Sequence, residues 1–209
     1  VGTGTLTVTG AVYDHAAGSL TNSNVVFAVH VGNTNTQTAL VGMSNAVGFR
    51  VSMATLATNS SNGLSLAGVT NVVSGTSSNA VLTYSNNNAV VTSFTNQIGV
   101  VYGDASSYDG ASSAVGTNML TVNGYVYSGQ STWTAGSGNW TTFTNWTALG
   151  GTPGLDGALS TNDTATFGTG GGGVVTLSTN AVLNALTFSN ASSYAIAGAG
   201  TISLEQGSS

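Results

Sequence analysis

Few residues in this chain could carry chemistry. The titratable set is His15, His30, Asp14, Asp104, Asp109, Asp156, Asp163 and Glu205, with Arg50 as the one basic side chain and no cysteine. Without cysteine there is no disulfide, thiolate metal site or thiol nucleophile. Two histidines with an aspartate could hold a metal, but both lie in strand-like stretches, where hydrogen-bonded structural histidines are expected. A glycosidase needs two carboxylates, one raised in pKa by an apolar wall. Asp104 and Asp109 sit instead in a Ser/Gly loop, and no nucleophile elbow marks a serine for a triad. The chain reads as a non-enzyme.

Calcium is the cofactor this inventory leaves open. Asp104 with Asp109, and Asp156 with Asp163, could each offer carboxylate oxygens at a turn. Neither pair follows an EF-hand or a nonapeptide calcium repeat, and aspartate is also an ordinary turn former. No other cofactor is expected. The Gly170–Gly173 run lacks the helix and lysine of a phosphate-binding loop and reads as a corner. Trp133, Trp140 and Trp146, with Phe143, could stack on a sugar ring or form an apolar lid over the segment that follows.

The elements that must position these residues are strands. Charged residues make up 3% of the 209 residues and the net charge is −5, whereas about a quarter of an ordinary globular chain is charged. Gly, Ala, Val, Thr, Ser and Asn carry the mass, and no window offers a capped helical period, so the expected class is all-β. The apolar content is too high for a disordered polar tract. One arginine cannot neutralise a run of phosphates, which excludes nucleic acid and anionic membrane surfaces as partners. No apolar run is long enough for a membrane-inserted helix. The lack of an initiator Met and of a leader reads as a processed chain or a fragment.

One phrase occurs twice. Leu6–Tyr13 reads Leu-Thr-Val-Thr-Gly-Ala-Val-Tyr and Leu120–Tyr127 reads Leu-Thr-Val-Asn-Gly-Tyr-Val-Tyr, about one domain length apart. Both have the period of a half-buried strand. Between them, strands are expected at Val25–Val31, Thr38–Met43, Phe49–Leu56, Leu64–Val73, Ala80–Tyr84, Val90–Phe94, Ile98–Tyr102 and Met119–Tyr127. That density of short strands is the signature of a sandwich. The first copy is either the first strand of its own domain or a donor strand that completes a neighbouring copy through Leu6, Val8, Ala11 and Tyr13.

Val25-Val26-Phe27-Ala28-Val29-His30-Val31-Gly32-Asn33-Thr34, followed by Gln37-Thr38-Ala39-Leu40, resembles the opening of Hydin-type immunoglobulin-like domains of "choice-of-anchor" bacterial surface proteins. That resemblance covers about 100 residues and implies an Ig-like β-sandwich whose last strand reads like Leu120–Tyr127. Thr132-Trp133-Thr134, Gly138-Asn139-Trp140, Thr144-Asn145-Trp146, Pro153-Gly154 and Asp163–Phe167, continuing to Leu204, resemble autotransporter-associated β-strand repeat proteins. That resemblance implies a short parallel β-solenoid. The pairs Val175/Leu177, Leu186/Phe188, Tyr194/Ile196 and Ile202/Leu204 suit such a ladder, since each sits on one side of a short strand.

The organisation expected is an N-terminal strand over 1–13, an Ig-like sandwich over 14–128, and a Trp-rich lid with a solenoid repeat over 129–209. The function expected is an extracellular, cell-surface structural protein of bacterial type. It would be a filament, sheath or surface-layer subunit that forms a homo-oligomer or polymer through strand contacts. The alternative is a stalk or adhesin module of a larger surface protein, with glycans bound by the tryptophans.

Overall fold

The structure, a computed structural model, describes residues 3–10, 12–48, 50–58, 62–85, 90–105, 110–169, 172–189 and 193–205. The protein is all-β: among the described residues, sixteen strands and two short 3₁₀ turns make up the regular elements. The chain divides into two compact units. The first comprises Val1–Val25, Thr38–Tyr84 and Gln97–Thr121, and the second Val26–Gln37, Ser85–Asn96 and Val122–Ser209.

The strands of the N-terminal part are β1 (Gly18–Leu20), β2 (Asn24–His30), β3 (Gln37–Asn45), β4 (Met53–Thr58), β5 (Leu64–Ala67), β6 (Ser77–Tyr84), β7 (Thr92–Asp104) and β8 (Gly116–Tyr127). They form two four-stranded sheets, ordered β1-β3-β6-β5 and β2-β8-β7-β4. The pairs β1 with β3, β4 with β7 and β5 with β6 run antiparallel.

The first unit has a sandwich-like interior. Val41, Met43, Leu82 and Tyr84 come from one sheet and Met53, Ile98, Val100 and Leu120 from the other, all buried. Gly18 in β1 faces Met53 and the Tyr102 ring so closely that an added Cβ would sit 2.5 Å from the Met53 sulfur. A glycine is required where two sheets approach like this.

Bounds shift at β4, which starts at Met53, and at β5, which ends at Ala67. Two larger differences stand out. Thr92–Phe94 and Ile98–Tyr102 belong to one continuous strand, β7, which leaves out Val90 and Val91. The polar Thr95-Asn96-Gln97 step does not break it. Thr95 and Gln97 lie on the exposed face, where a polar residue costs a strand little, and the Thr95 hydroxyl donates to Asn123 Oδ1 on β8. The other difference is the first copy of the repeated phrase. Among the described residues 3–13 there is no strand, and Leu6, Val8, Val12 and Tyr13 are exposed.

From β9 onward the strands pair in parallel. β9 (Gln130–Thr132), β11 (Thr164–Phe167) and β14 (Ala185–Phe188) form one sheet. β10 (Gly138–Asn139), β12 (Gly173–Thr176) and β15 (Tyr194–Ala197) form a second, and β13 (Ala181–Leu183) pairs with β16 (Ile202–Leu204). The registers advance together: Thr164 lies opposite Ala185, Gly173 opposite Tyr194, and Ala181 opposite Ile202. Three ladders with one common sequence offset mean that the segment from β14 to β16 repeats the path of the segment from β11 to β13. Trp133, Trp140, Trp146, Ala165, Phe167, Val175, Leu177, Ala181 and Leu183 fill the core under these ladders.

Candidate functional sites

The tryptophans are core residues. Trp140 has no exposed surface, and Trp133 and Trp146 almost none. Trp146 packs edge-on against both others, at centroid distances of 5.0 Å to Trp133 and 4.8 Å to Trp140. Phe167 of β11 lies within about 6 Å of all three, a separation usual for interacting aromatic rings. Each indole N–H has a backbone acceptor: Gly136 O for Trp133, Pro153 O for Trp140 and Trp140 O for Trp146. A sugar stacks on a ring face open to solvent, and these rings offer none. The glycan-platform reading of Trp133, Trp140 and Trp146 is therefore corrected to a packed aromatic core.

Asp104 is a structural acceptor in the first unit. Its Oδ1 receives the Ala16 N–H at 2.9 Å, and its Oδ2 receives the Ser112 N–H at 2.9 Å. His15 Nδ1 lies 2.7 Å from the same Oδ2, with the imidazole half exposed. These partners tie the end of β7 to the approach to β1 and to the Ser112 loop. Asp109, the expected companion of Asp104, lies outside the described residues.

Asp156 and Asp163 do come together, and His30 joins them in the second unit. A 3₁₀ turn over Gly157–Asn162 separates the two aspartates, with Asp156 before it and Asp163 after it. Ser160, fully buried in that turn, holds both: its hydroxyl accepts the Asp156 N–H at 2.9 Å and its carbonyl accepts the Asp163 N–H at 3.0 Å. Asp163 is wholly buried and His30, at the end of β2, is 4% exposed. His30 Nε2 lies 2.9 Å from Asp163 Oδ1, and its Nδ1 lies 2.7 Å from the Val31 carbonyl. A carbonyl only accepts, so Nδ1 carries a proton. The Gly154 N–H donates to Asp163 Oδ2 at 2.7 Å, and the Tyr127 hydroxyl donates to Asp156 Oδ2 at 2.8 Å. The Tyr127 ring meets the imidazole edge-on at 5.4 Å.

The electrostatics follow from burial in acidic company. Burial lowers the His30 pKa, but the Asp163 hydrogen bond, the Val31 carbonyl and the two carboxylate charges outweigh it, so the net shift is upward. Burial pushes the Asp156 carboxyl up, partly offset by the Tyr127 hydrogen bond and by the His30 charge. The Tyr127 phenol is raised far above its ordinary value, first by burial and then by Asp156. The hydrogen bond to Asp163 and the acidic neighbours thus favour the protonated form of His30.

The sequence pairs Asp156 with Asp163 but leaves His30 as a structural histidine and gives no sign of Tyr127 or Gly129. Gly129 has φ +77°, and a Cβ there would collide with Asp163 Oδ1 and sit 2.7 Å from His30 Nε2.

The assembly-strand residues lie apart from these clusters. Leu6, Val8 and Tyr13 are 87%, 82% and 54% exposed, and Ala11 lies outside the described residues.

No protein-family model matches the chain, and no curated protein is significantly similar to it in sequence. Among solved structures, the chain is similar to the ASH / PapD-like domain of human CEP192 (PapD-like domain 7). The TM-score is 0.38 and the identity 8%, over 60% of this chain and 99% of that one. The two family resemblances drawn above rest on their quoted residues alone.

Proposed function

We propose that this chain is a non-enzymatic structural subunit of an extracellular or cell-surface assembly, and that copies join through strand contacts made by Leu6–Tyr13. One observation carries the reading. The repeated phrase is packed in one copy and bare in the other. In β8, Leu120, Val122 and Val126 have no exposed surface, whereas Leu6, Val8 and Val12 are 87%, 82% and 91% exposed. An alternating apolar segment left in water loses roughly 1.5–3 kcal/mol for each side chain its twin buries. Pairing with a sheet edge of a second copy would recover that energy and add main-chain hydrogen bonds.

The parallel ladders favour the same reading, as three rungs of a short β-solenoid. Ala165, Phe167, Val175, Ala181 and Leu183, in the middle rung, are fully buried. Their register partners in the last rung, Leu186, Ile196 and Ile202, are only half covered, and Phe188 and Leu204 are exposed. β14, β15 and β16 are each the outermost strand of their ladder. Monomeric β-proteins commonly guard such edges with Lys, Pro or charge. This chain has no lysine and one proline.

The experiment is light scattering across a concentration series, with electron microscopy, on the full chain and on a chain lacking residues 1–13. Polymers formed by the first and absent from the second are expected. A full chain that stays monomeric at all concentrations overturns the self-assembly reading and leaves the stalk module. Polymers formed equally by both chains remove Leu6–Tyr13 from the contact.

A further inference from the structure

We propose that His30, Asp156 and Asp163 form a binding site for one divalent transition-metal ion, for which Zn²⁺ is the probe. One ligand atom from each residue lies within 4.8 Å of the others. In a tetrahedral site with bonds of about 2.0–2.2 Å, ligand atoms stand roughly 3.3–3.6 Å apart, so the three side chains must draw in by up to about 1.5 Å to share one ion.

Groups outside the set fix the three side chains. The Val31 carbonyl takes the Nδ1 proton of His30 and turns Nε2 toward the carboxylates. The Gly154 N–H holds Asp163 Oδ2, leaving Oδ1 facing inward. The Tyr127 hydroxyl holds one oxygen of Asp156. Metal-ligating imidazoles and carboxylates are held by outer partners of this kind, which set the tautomer and the ring plane. The Ser160 turn fixes the spacing of the two aspartates through its hydroxyl and carbonyl. Gly129 keeps the space beside Asp163 Oδ1 and His30 Nε2 free of a side chain.

Charge points the same way. Two carboxylates and one imidazole converge in a largely buried setting. A divalent ion held by a neutral imidazole and two carboxylates makes a site of zero formal charge. The donor set also selects the ion. Calcium takes six to eight oxygens, whereas an imidazole nitrogen with carboxylates suits zinc and its first-row neighbours. The calcium expected from Asp156 and Asp163 alone thus becomes a transition metal once His30 is included.

The test is Zn²⁺ titration by calorimetry of the full chain after EDTA stripping and dialysis, with melting temperature as a second readout. About one ion per chain and a higher melting temperature are expected. Asp156→Asn should abolish binding, and Tyr127→Phe, which removes only an outer partner, should weaken it roughly 10–100-fold. His15→Gln, at the exposed His15–Asp104 pair, should bind as the parent does. Absence of uptake by the parent overturns the site. So does uptake unchanged in both Asp156→Asn and Tyr127→Phe, or uptake lost in His15→Gln. Asp156 is half-buried and Asn keeps an acceptor for the Tyr127 hydroxyl, so this variant tests coordination without removing the His30–Asp163 pair.

Discussion

His30 Nε2 and Asp163 Oδ1 stand 2.9 Å apart inside the second unit, although the residues are 133 positions apart in the chain. The pair pins the end of β2 to the residue that opens β11. Removing one partner of a buried ion pair strands the other without compensation, which costs about 3–5 kcal/mol. Asp163→Ala should lower unfolding free energy by that amount in urea denaturation followed by circular dichroism. A loss under about 1 kcal/mol would mean that the pair contributes little.

The same pair sets a pH dependence in protein kept free of divalent ions. His30 has its folded pKa raised above the ordinary 6.5. The folded state therefore holds the imidazolium proton more tightly than the unfolded chain does. That contribution is fully present below pH 6.5 and is lost as pH rises through the raised value. Asp156, raised above its ordinary 3.8, acts with the same sign at lower pH: stability declines as its carboxyl ionises. Melting temperature with EDTA present should fall as pH rises above neutrality, and His30→Gln should flatten that fall. A melting temperature that rises over the same range would contradict the assignment.

The all-β class was readable from composition, and strands β2, β3, β6 and β8 from their alternation, because half-buried strands write their two faces into the sequence. β7 was read as two strands because a polar step on an exposed face looks like a turn when the neighbouring strand is unseen. The parallel offset was legible only as i, i+2 pairs, since register is a property of two strands and not of one. The His30–Asp163 pair was not legible at all: nothing local to either residue names a partner 133 positions away. Trp133, Trp140 and Trp146 allowed two readings because an indole serves equally as a platform and as a core residue. Burial decided between them.

Trp140 is the best probe of that core. It is wholly buried, packs on Trp146 and Phe167, and its carbonyl accepts the Trp146 indole N–H at 2.7 Å. Trp140→Ala should cost about 3–5 kcal/mol and shift the remaining tryptophan emission to the red as water reaches Trp146. Unchanged emission with a small stability loss would show that the core closes over the cavity.

Asn45 ties the first unit together as a polar residue in an apolar interior. Its Oδ1 accepts the Ala17 N–H at 3.0 Å, and its Nδ2 donates to the carbonyls of Val51 at 2.8 Å and Val72 at 3.1 Å. Leaving such buried backbone groups without a partner costs about 1–3 kcal/mol. Asn45→Ala should destabilise by about that amount. Asn45→Asp, although the same size, should cost at least as much, because a carboxylate would face two carbonyl oxygens in place of a donor. If Asp is tolerated at neutral pH, Nδ2 is not the group that matters.

Val8 and Val122 hold the same place in the repeated phrase, which allows one substitution to be read in two settings. Val122 is wholly buried in β8 and Val8 is 82% exposed. An unpaired carboxylate in the interior costs several kcal/mol, so Val122→Asp should unfold the chain or leave it barely stable. At Val8 the same change faces water in the monomer and should alter its stability by no more than about 0.5 kcal/mol. The two readings of Leu6–Tyr13 then separate on assembly alone. If the segment enters a sheet of a second copy, Val8→Asp places a charge in that new interior and should abolish polymers while leaving the monomer's melting temperature unchanged. Polymers that form normally from Val8→Asp would mean that the exposed copy of the phrase takes no part in joining subunits.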